Sequence, residues 1–153
     1  MLEGIVVLVV EDHADSNELL QALLSSYGAS VLSARSGAEA LAVISKTPPD
    51  VLLSDIAMPE MDGFALIAKI RSHEAQSRIA RKETLELPAA AITAHTSSEY
   101  RRKIFAAGFE FIVPKPIDVD VLLKVVMALA THDLKPSSPA HRKAKRNLYV
   151  DLK

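Results

Sequence analysis

The stretch LLSDIAMPEMDG, residues 52–63, begins like a buried strand and places a carboxylate where the apolar run stops. Asp55 ends that run, and the chain continues through a proline-containing loop to Asp62 and Gly63, residues that favour a turn into a helix. An ionised carboxylate is costly to bury without a partner. Asp55 is therefore expected to face solvent or a cation at the end of a strand.

Short β-rich apolar runs alternate with longer segments that carry apolar residues at helical spacing. The runs cover residues 5–10, 30–34, 51–54, 89–93 and 111–113. Strict alternation with continuous apolar strands predicts a parallel sheet covered by helices on both faces. Ser36 and Thr96 each begin a capping-box pattern that predicts a helix start. The charged segment 72–87 is expected to contain a helix end and a longer surface loop.

Polar residues follow four of the predicted strands, at the point where each strand ends. They are Glu11 and Asp12, then Asp55, Thr93 and Lys115. Ligands of open parallel sheets bind at the carboxyl ends of the strands, so these side chains are expected to meet at one edge. Crowded carboxylates favour a hard divalent cation such as Mg²⁺, and a lysine and a threonine suit phosphoryl oxygens. The set predicts a site that stabilises a phosphoryl group on Asp55.

The same motifs carry a family resemblance. The chain resembles the receiver domain of two-component response regulators over about residues 4–130, whether free-standing or part of a hybrid histidine kinase. The resemblance rests on VEDH (10–13), LLSDIAMPEMDG (52–63), AITA (91–94) and VPKP (113–116). It implies a flavodoxin-like (βα)5 fold, an α/β doubly wound parallel sheet of five strands in the order 2-1-3-4-5.

By this resemblance, Asp55 is the phosphoacceptor and Mg²⁺ is the cofactor. The implied metal site consists of Glu11, acting largely through water, the carboxylates of Asp12 and Asp55, and the backbone carbonyl of Ala57. Thr93 would move to meet the phosphoryl group, Lys115 would pair with it, and the peptide that follows Lys115 would be cis. The implied donor is a histidine kinase or a histidine phosphotransfer protein. A downstream protein would bind the face of helix 4, strand 5 and helix 5.

One position departs from the family pattern. Receivers usually carry Tyr or Phe three residues before the lysine, where the ring changes position as the threonine moves. Here that residue is Ile112, with Phe111 beside it. The change leaves phosphorylation intact but removes the usual aromatic switch. We therefore expect the output face to respond through smaller shifts.

Three other functions compete with that of a phosphoacceptor. An aspartate phosphohydrolase would need a second carboxylate two residues beyond Asp55, where the chain has Ala57. A flavin carrier would need a glycine- and hydroxyl-rich loop after the first strand, and EDHADS (11–16) is acidic instead. A pseudo-receiver that binds partners without phosphorylation remains the main alternative. The protein is not expected to be an enzyme beyond catalysing its own phosphorylation and dephosphorylation.

Composition sets the remaining expectations. The 153 residues include no cysteine, which excludes disulfides and cysteine-ligated metals. Residues 131–153 carry six Lys or Arg against two Asp, about +4, which leaves about −5 on residues 1–130. The acidic body argues against nucleic acid as a main ligand. We expect a receiver domain at 1–130, a Pro/Ser-rich basic tail or linker at 131–153, no DNA-binding domain, no membrane segment and a cytoplasmic location.

Overall fold

The computed structural model describes residues 1–81, 86–132, 148–150 and 152. Within these residues, five strands alternate with five helices. The strands are β1 (Val6–Val10), β2 (Ser30–Ala34), β3 (Val51–Asp55), β4 (Ala89–Thr93) and β5 (Phe111–Pro114). The helices are α1 (Ala14–Ser26), α2 (Gly37–Lys46), α3 (Gly63–Arg81), α4 (Ser98–Ala107) and α5 (Val119–His132). Each strand matches its predicted range to within one residue at either end.

The five strands form one parallel sheet in the order β2-β1-β3-β4-β5, as predicted. The order reverses between β1 and β3, which both lie inside the sheet. In register, Asp55 on β3 pairs with Ile92 on β4, and Thr93 on β4 pairs with Pro114 on β5. The carboxyl ends of these strands therefore share one edge, where a ligand crevice is expected in this topology.

Successive strand residues bury their side chains in two cores, one on each face of the sheet. Leu52 packs into the core that holds Ile67 of α3 and Ile104 of α4. Leu53, the next residue, packs into the core that holds Leu122 of α5. Because both faces are covered, the strands are apolar throughout, and polar side chains are tolerated only where the strands end.

The loop after β3 returns tightly against the strand end. The Gly63 amide donates to the Ile56 carbonyl at 2.8 Å. A Cβ on Gly63 would lie 2.6 Å from the Asp55 carbonyl oxygen, so no larger residue fits without a shift of the backbone. The Asp62 carboxylate accepts from the Ala65 amide at 2.8 Å and caps the start of α3. The stretch 52–63 thus fixes the position of Asp55.

One local expectation about the helices needs correction, and another is confirmed. The capping box predicted at Thr96 is wrong, because Ser97 is the N-cap of α4 and its hydroxyl accepts from the Tyr100 amide at 3.3 Å. Adjacent hydroxyl residues offer alternative caps, and the extended backbone of Ser97 decides between them. The helix end predicted within segment 72–87 is confirmed, since α3 ends at Arg81. That segment lacks an apolar stripe but contains no glycine or proline to end a helix.

The middle of α3 contacts residues from the C-terminal part of the chain. Leu148, Tyr149 and Leu152 are buried in the same core as the inner face of α3. The His73 ring nitrogen Nε2 lies 2.6 Å from the Leu148 carbonyl oxygen, and the Tyr149 hydroxyl donates to Glu74. Residues 133–147, with the basic stretch 141–146, lie outside the described residues. The predicted tail therefore ends in a segment that packs on the domain.

Candidate functional site

Lys115 joins two of the carboxylates expected at the strand ends. Its Nζ lies 3.2 Å from Asp55 Oδ2 and 3.3 Å from Glu11 Oε2. The three residues come from the ends of β1, β3 and β5, which are up to 104 positions apart in the chain. The parallel sheet therefore brings them together, as the strand-end argument predicted.

Burial shapes the charges at this edge. Glu11 is fully buried, and burial raises the pKa of its carboxyl above the ordinary value. A hydrogen bond from the His13 amide lowers that pKa, while the nearby charge of Asp55 raises it further. Burial alone would lower the pKa of Lys115, but the carboxylates of Asp55 and Glu11 together raise it. Lys115 is therefore held in its charged form at neutral pH.

Asp12 supplies an unused oxygen. Among the described residues, its Oδ1 is the one buried side-chain oxygen or nitrogen without a hydrogen-bond partner. Ligand atoms of Glu11, Asp12 and His13 all lie within 4.8 Å of one another. Carboxylate oxygens are preferred ligands of Mg²⁺, and a buried carboxylate oxygen without a partner is a ready ligand. The two carboxylates thus fit a hard divalent cation.

Two polar side chains that the strand-end argument missed hold the β1–α1 loop in place. The Asn17 amide donates to the carbonyls of Glu11 and Ala34, each at 3.0 Å. Arg35 donates from Nε and Nη2 to the Asp12 carbonyl at 3.0 and 2.8 Å. Arg35 directly follows β2, so extending the rule to every strand end would have found it. Asn17 could have been found as a polar residue on the buried stripe of α1.

Thr93 lies at the same edge but makes different contacts. Its hydroxyl accepts from the His95 amide at 3.0 Å and lies 3.4 Å from the His95 carbonyl oxygen. The Thr93 carbonyl accepts from the Lys115 amide at 2.9 Å, and the Lys115–Pro116 peptide is cis, as the resemblance implied. The hydroxyl is thus held by its own loop, while the Thr93 backbone is bonded to Lys115. Ala57, the other predicted ligand, is exposed in the loop after Asp55.

Comparison with known proteins agrees with this geometry. The response regulator receiver domain family matches residues 7–127. The chain belongs to this family. A protein of 14.6 kDa from Leptolyngbya boryana, without an assigned function, is 39% identical over 120 residues, which are 78% of this chain and 86% of that protein. The sensor histidine kinase RcsC of Salmonella typhimurium is 33% identical over 128 residues, 84% of this chain but only 12% of RcsC.

Solved structures give the same assignment. The chemotaxis protein CheY4 of Vibrio cholerae superposes with a TM-score of 0.70 at 30% identity and covers 82% of this chain and 98% of its own. The receiver domain of Saccharomyces cerevisiae Ssk1, solved with the histidine phosphotransfer protein Ypd1, gives a TM-score of 0.80 at 23% identity, with 88% and 94% covered. That identity supports the fold alone.

The protein is therefore a receiver domain, a phosphoacceptor module of two-component and phosphorelay signalling. Receiver domains generally bind Mg²⁺ at an acidic pocket, and the acidic group here has the ligands for it. No helix in the described part of the chain combines the length and the apolar character needed to cross a membrane.

Proposed function

We propose that Asp55 accepts a phosphoryl group from a histidine kinase or a histidine phosphotransfer protein. The observation that carries the proposal is the contact of Lys115 with both Asp55 and Glu11 at the strand ends, beside the unpartnered oxygen of Asp12. The nucleophile Asp55, the ammonium group of Lys115 and an unpartnered carboxylate oxygen of Asp12 then lie at one edge of the sheet. This set is suited to phosphoryl transfer onto a carboxylate.

The transfer balances as a displacement at phosphorus. An oxygen of the Asp55 carboxylate forms the new bond to phosphorus, and the phosphorus–nitrogen bond of the donor phosphohistidine breaks. The electron pair of that bond returns to the donor imidazole. The Ile56 amide donates to Asp55 Oδ1 at 2.8 Å and Lys115 contacts Oδ2, so the carboxylate is oriented before the donor arrives.

A Mg²⁺ ion would be held by Asp12, Asp55 and the backbone carbonyl of Ala57, with Glu11 acting largely through water. When bound, it would balance the charge on the transferring phosphoryl group. Lys115 would then pair with a phosphoryl oxygen, since its ammonium is charged and already touches Asp55. Thr93 would donate its hydroxyl to another phosphoryl oxygen after leaving His95.

Phosphorylation would change contacts with a downstream protein through the face formed by α4, β5 and α5. Phe105 on α4, and Val121 and Met127 on α5, are large apolar side chains exposed on these helices, which favours a protein partner there. The receiver domain of this proposal is residues 1–130, and residues 131–153 form a C-terminal tail or linker whose residues Leu148, Tyr149 and Leu152 are buried in the same core as α3. Its location is the cytoplasm, and the only reactions it catalyses are its own phosphorylation and dephosphorylation.

Intact mass after incubation with acetyl phosphate, with and without Mg²⁺, tests the proposal. The wild type should gain one phosphoryl group only when Mg²⁺ is present, and Asp55→Asn should gain none. Asp62→Asn is the matched control, because asparagine also caps helices and this acid lies in the same loop. Equal uptake by Asp55→Asn, or no uptake from either acetyl phosphate or a phosphorylated histidine donor, would overturn the proposal.

A further inference from the structure

Three aromatic rings, those of Phe64, His95 and Tyr100, pack together beside the proposed acceptor and are called the aromatic group below. The rings of His95 and Tyr100 meet edge to face, with centroids 4.2 Å apart. Tyr100 and Phe64 meet in the same way at 5.7 Å. Lys103 places its Nζ 4.7 Å from the Phe64 centroid. The group therefore joins the β4–α4 loop to the first turns of α3 and α4.

The aromatic group is also connected to Thr93. The hydroxyl of Thr93 accepts from the His95 amide, so it cannot turn toward Asp55 without losing that hydrogen bond. Ser97 lies 3.4 Å from the His95 ring nitrogen Nε2 and caps α4 through the Tyr100 amide. A movement of Thr93 would therefore displace His95, and His95 would displace Tyr100, whose ring it contacts in α4.

Strand β5 lacks the aromatic residue that usually responds to such a movement in receivers. Ile112 packs on the same side of the sheet as Phe64 and Tyr100, and its aliphatic side chain has no ring to rotate. Tyr100 lies within the field of the acceptor as well. Burial raises the pKa of its hydroxyl, and the carboxylates of Asp62 and Asp55 raise it further. Tyr100 therefore responds both to contacts with the Thr93 loop and to charge at Asp55.

We propose that Tyr100 is the positioning residue that transmits the movement of Thr93 to α4, through its ring contact with His95. The inference rests on the proposed function, because it needs a phosphoryl group on Asp55 to draw Thr93 away from His95. The aromatic residue that responds to Thr93 would then lie on α4, because β5 carries Ile112 at the position where receivers usually have a Tyr or Phe.

Fluorine NMR of protein labelled with 3-fluorotyrosine tests this directly. The chain has three tyrosines, and Tyr→Phe variants assign the three resonances. Acetyl phosphate with Mg²⁺ should shift the Tyr100 resonance and leave those of Tyr27 and Tyr149 in place. Intact mass of the same samples gives the phosphorylated fraction. In the phosphorylated fraction, Thr93→Ala should reduce the Tyr100 shift to the part that the charge at Asp55 causes, whereas Thr93→Ser, which keeps the hydroxyl, should restore the full shift.

Backbone amide shifts of α4 supply a second readout. Tyr100→Leu should keep phosphoryl uptake but lose the phosphorylation-dependent shifts of α4, and Tyr100→Phe should retain them because the ring contact persists. Arg102→Lys, a change at an exposed residue of the same helix, is the control and should behave like the wild type. Uptake with an unmoved Tyr100 resonance, or with the same shift in Thr93→Ala, would overturn the coupling alone. Absence of uptake by the wild type would overturn the proposed function and the coupling together.

Discussion

Replacing Tyr149 with phenylalanine should destabilise the protein although Tyr149 is not part of the proposed phosphoacceptor site. The Tyr149 side chain is 1% exposed, and its hydroxyl donates to Glu74, which is 3% exposed. Glu74 also accepts from Arg71 at 2.8 Å and from the Leu87 amide at 2.7 Å. Leu87 stands two residues before β4. One buried carboxylate therefore ties the C-terminal segment to α3 and to the strand that carries Thr93.

The magnitude follows from the kind of hydrogen bond that is lost. A hydrogen bond to a charged group contributes about 1.5–3 kcal/mol, and phenylalanine keeps the packing of the ring. For a chain of this size, each kcal/mol corresponds to roughly 2–4 °C in Tm, so the expected loss is roughly 3–12 °C. Tyr27→Phe is the control, because the Tyr27 hydroxyl makes no hydrogen bond to any described residue. It should change the free energy of unfolding by less than about 0.5 kcal/mol.

Alkaline pH provides a signature that packing alone would not produce. Burial raises the pKa of Tyr149 far above its ordinary value, and the charge of Glu74 adds to the increase. Above about pH 10 the unfolded state releases the Tyr149 proton and the folded state keeps it, so the folded state loses relative stability. The advantage of the wild type over Tyr149→Phe should therefore shrink by about 1.4 kcal/mol between pH 9 and pH 11.

Urea unfolding of the three proteins across this pH range measures the difference, since other titrating groups cancel between variants. Equal stability of wild type and Tyr149→Phe at neutral pH, or a difference that stays constant up to about pH 11, would refute the reasoning. Either result would mean that the Tyr149 hydroxyl is not bonded to Glu74 in solution.

Three further predictions concern the site itself. Gly63→Ala should cost about 1–3 kcal/mol in urea unfolding, because its Cβ would lie 2.6 Å from the Asp55 carbonyl oxygen; wild-type stability would show that the loop yields freely. Asp12→Asn should weaken Mg²⁺ binding by about tenfold or more in calorimetry, and unchanged affinity would remove Asp12 from the ligand set. Lys115→Ala should instead tighten Mg²⁺ binding, since it removes a positive charge from beside Asp55 and Glu11; weaker binding would contradict the charge argument.

The sheet and the acidic edge could be predicted because both depend on strong, local signals. Continuous apolar runs separated by helical patterns define a parallel sheet, and polar residues that end such runs must lie at its rim. Glu11, Asp55 and Lys115 were placed correctly by this reasoning, and their contacts confirm that they meet. Their catalytic and metal-binding roles stay predictions.

What the sequence did not reveal depends on contacts between distant segments. The C-terminal residues Leu148 and Tyr149 meet α3 across 75 positions, and the charged composition of both segments hides the few side chains that become buried. Tyr100 was missed because it is a half-buried residue in a helix turn that is otherwise polar. Its position beside His95 follows from the cap at Ser97, one residue away from the predicted cap.

The charge balance at the acidic edge links the two proposals. Glu11, Asp12 and Asp55 carry three formal negative charges against one on Lys115, and Lys115 contacts only two of the three. A divalent cation would cancel the excess, and phosphorylation of Asp55 would then add negative charge on the phosphoryl oxygens near Lys115. Lys115 can form an ion pair with these oxygens with little movement. Thr93 cannot donate to them without moving, because its hydroxyl is bonded to the His95 amide. The mechanical response should therefore begin at Thr93 and reach α4 through the ring that His95 contacts.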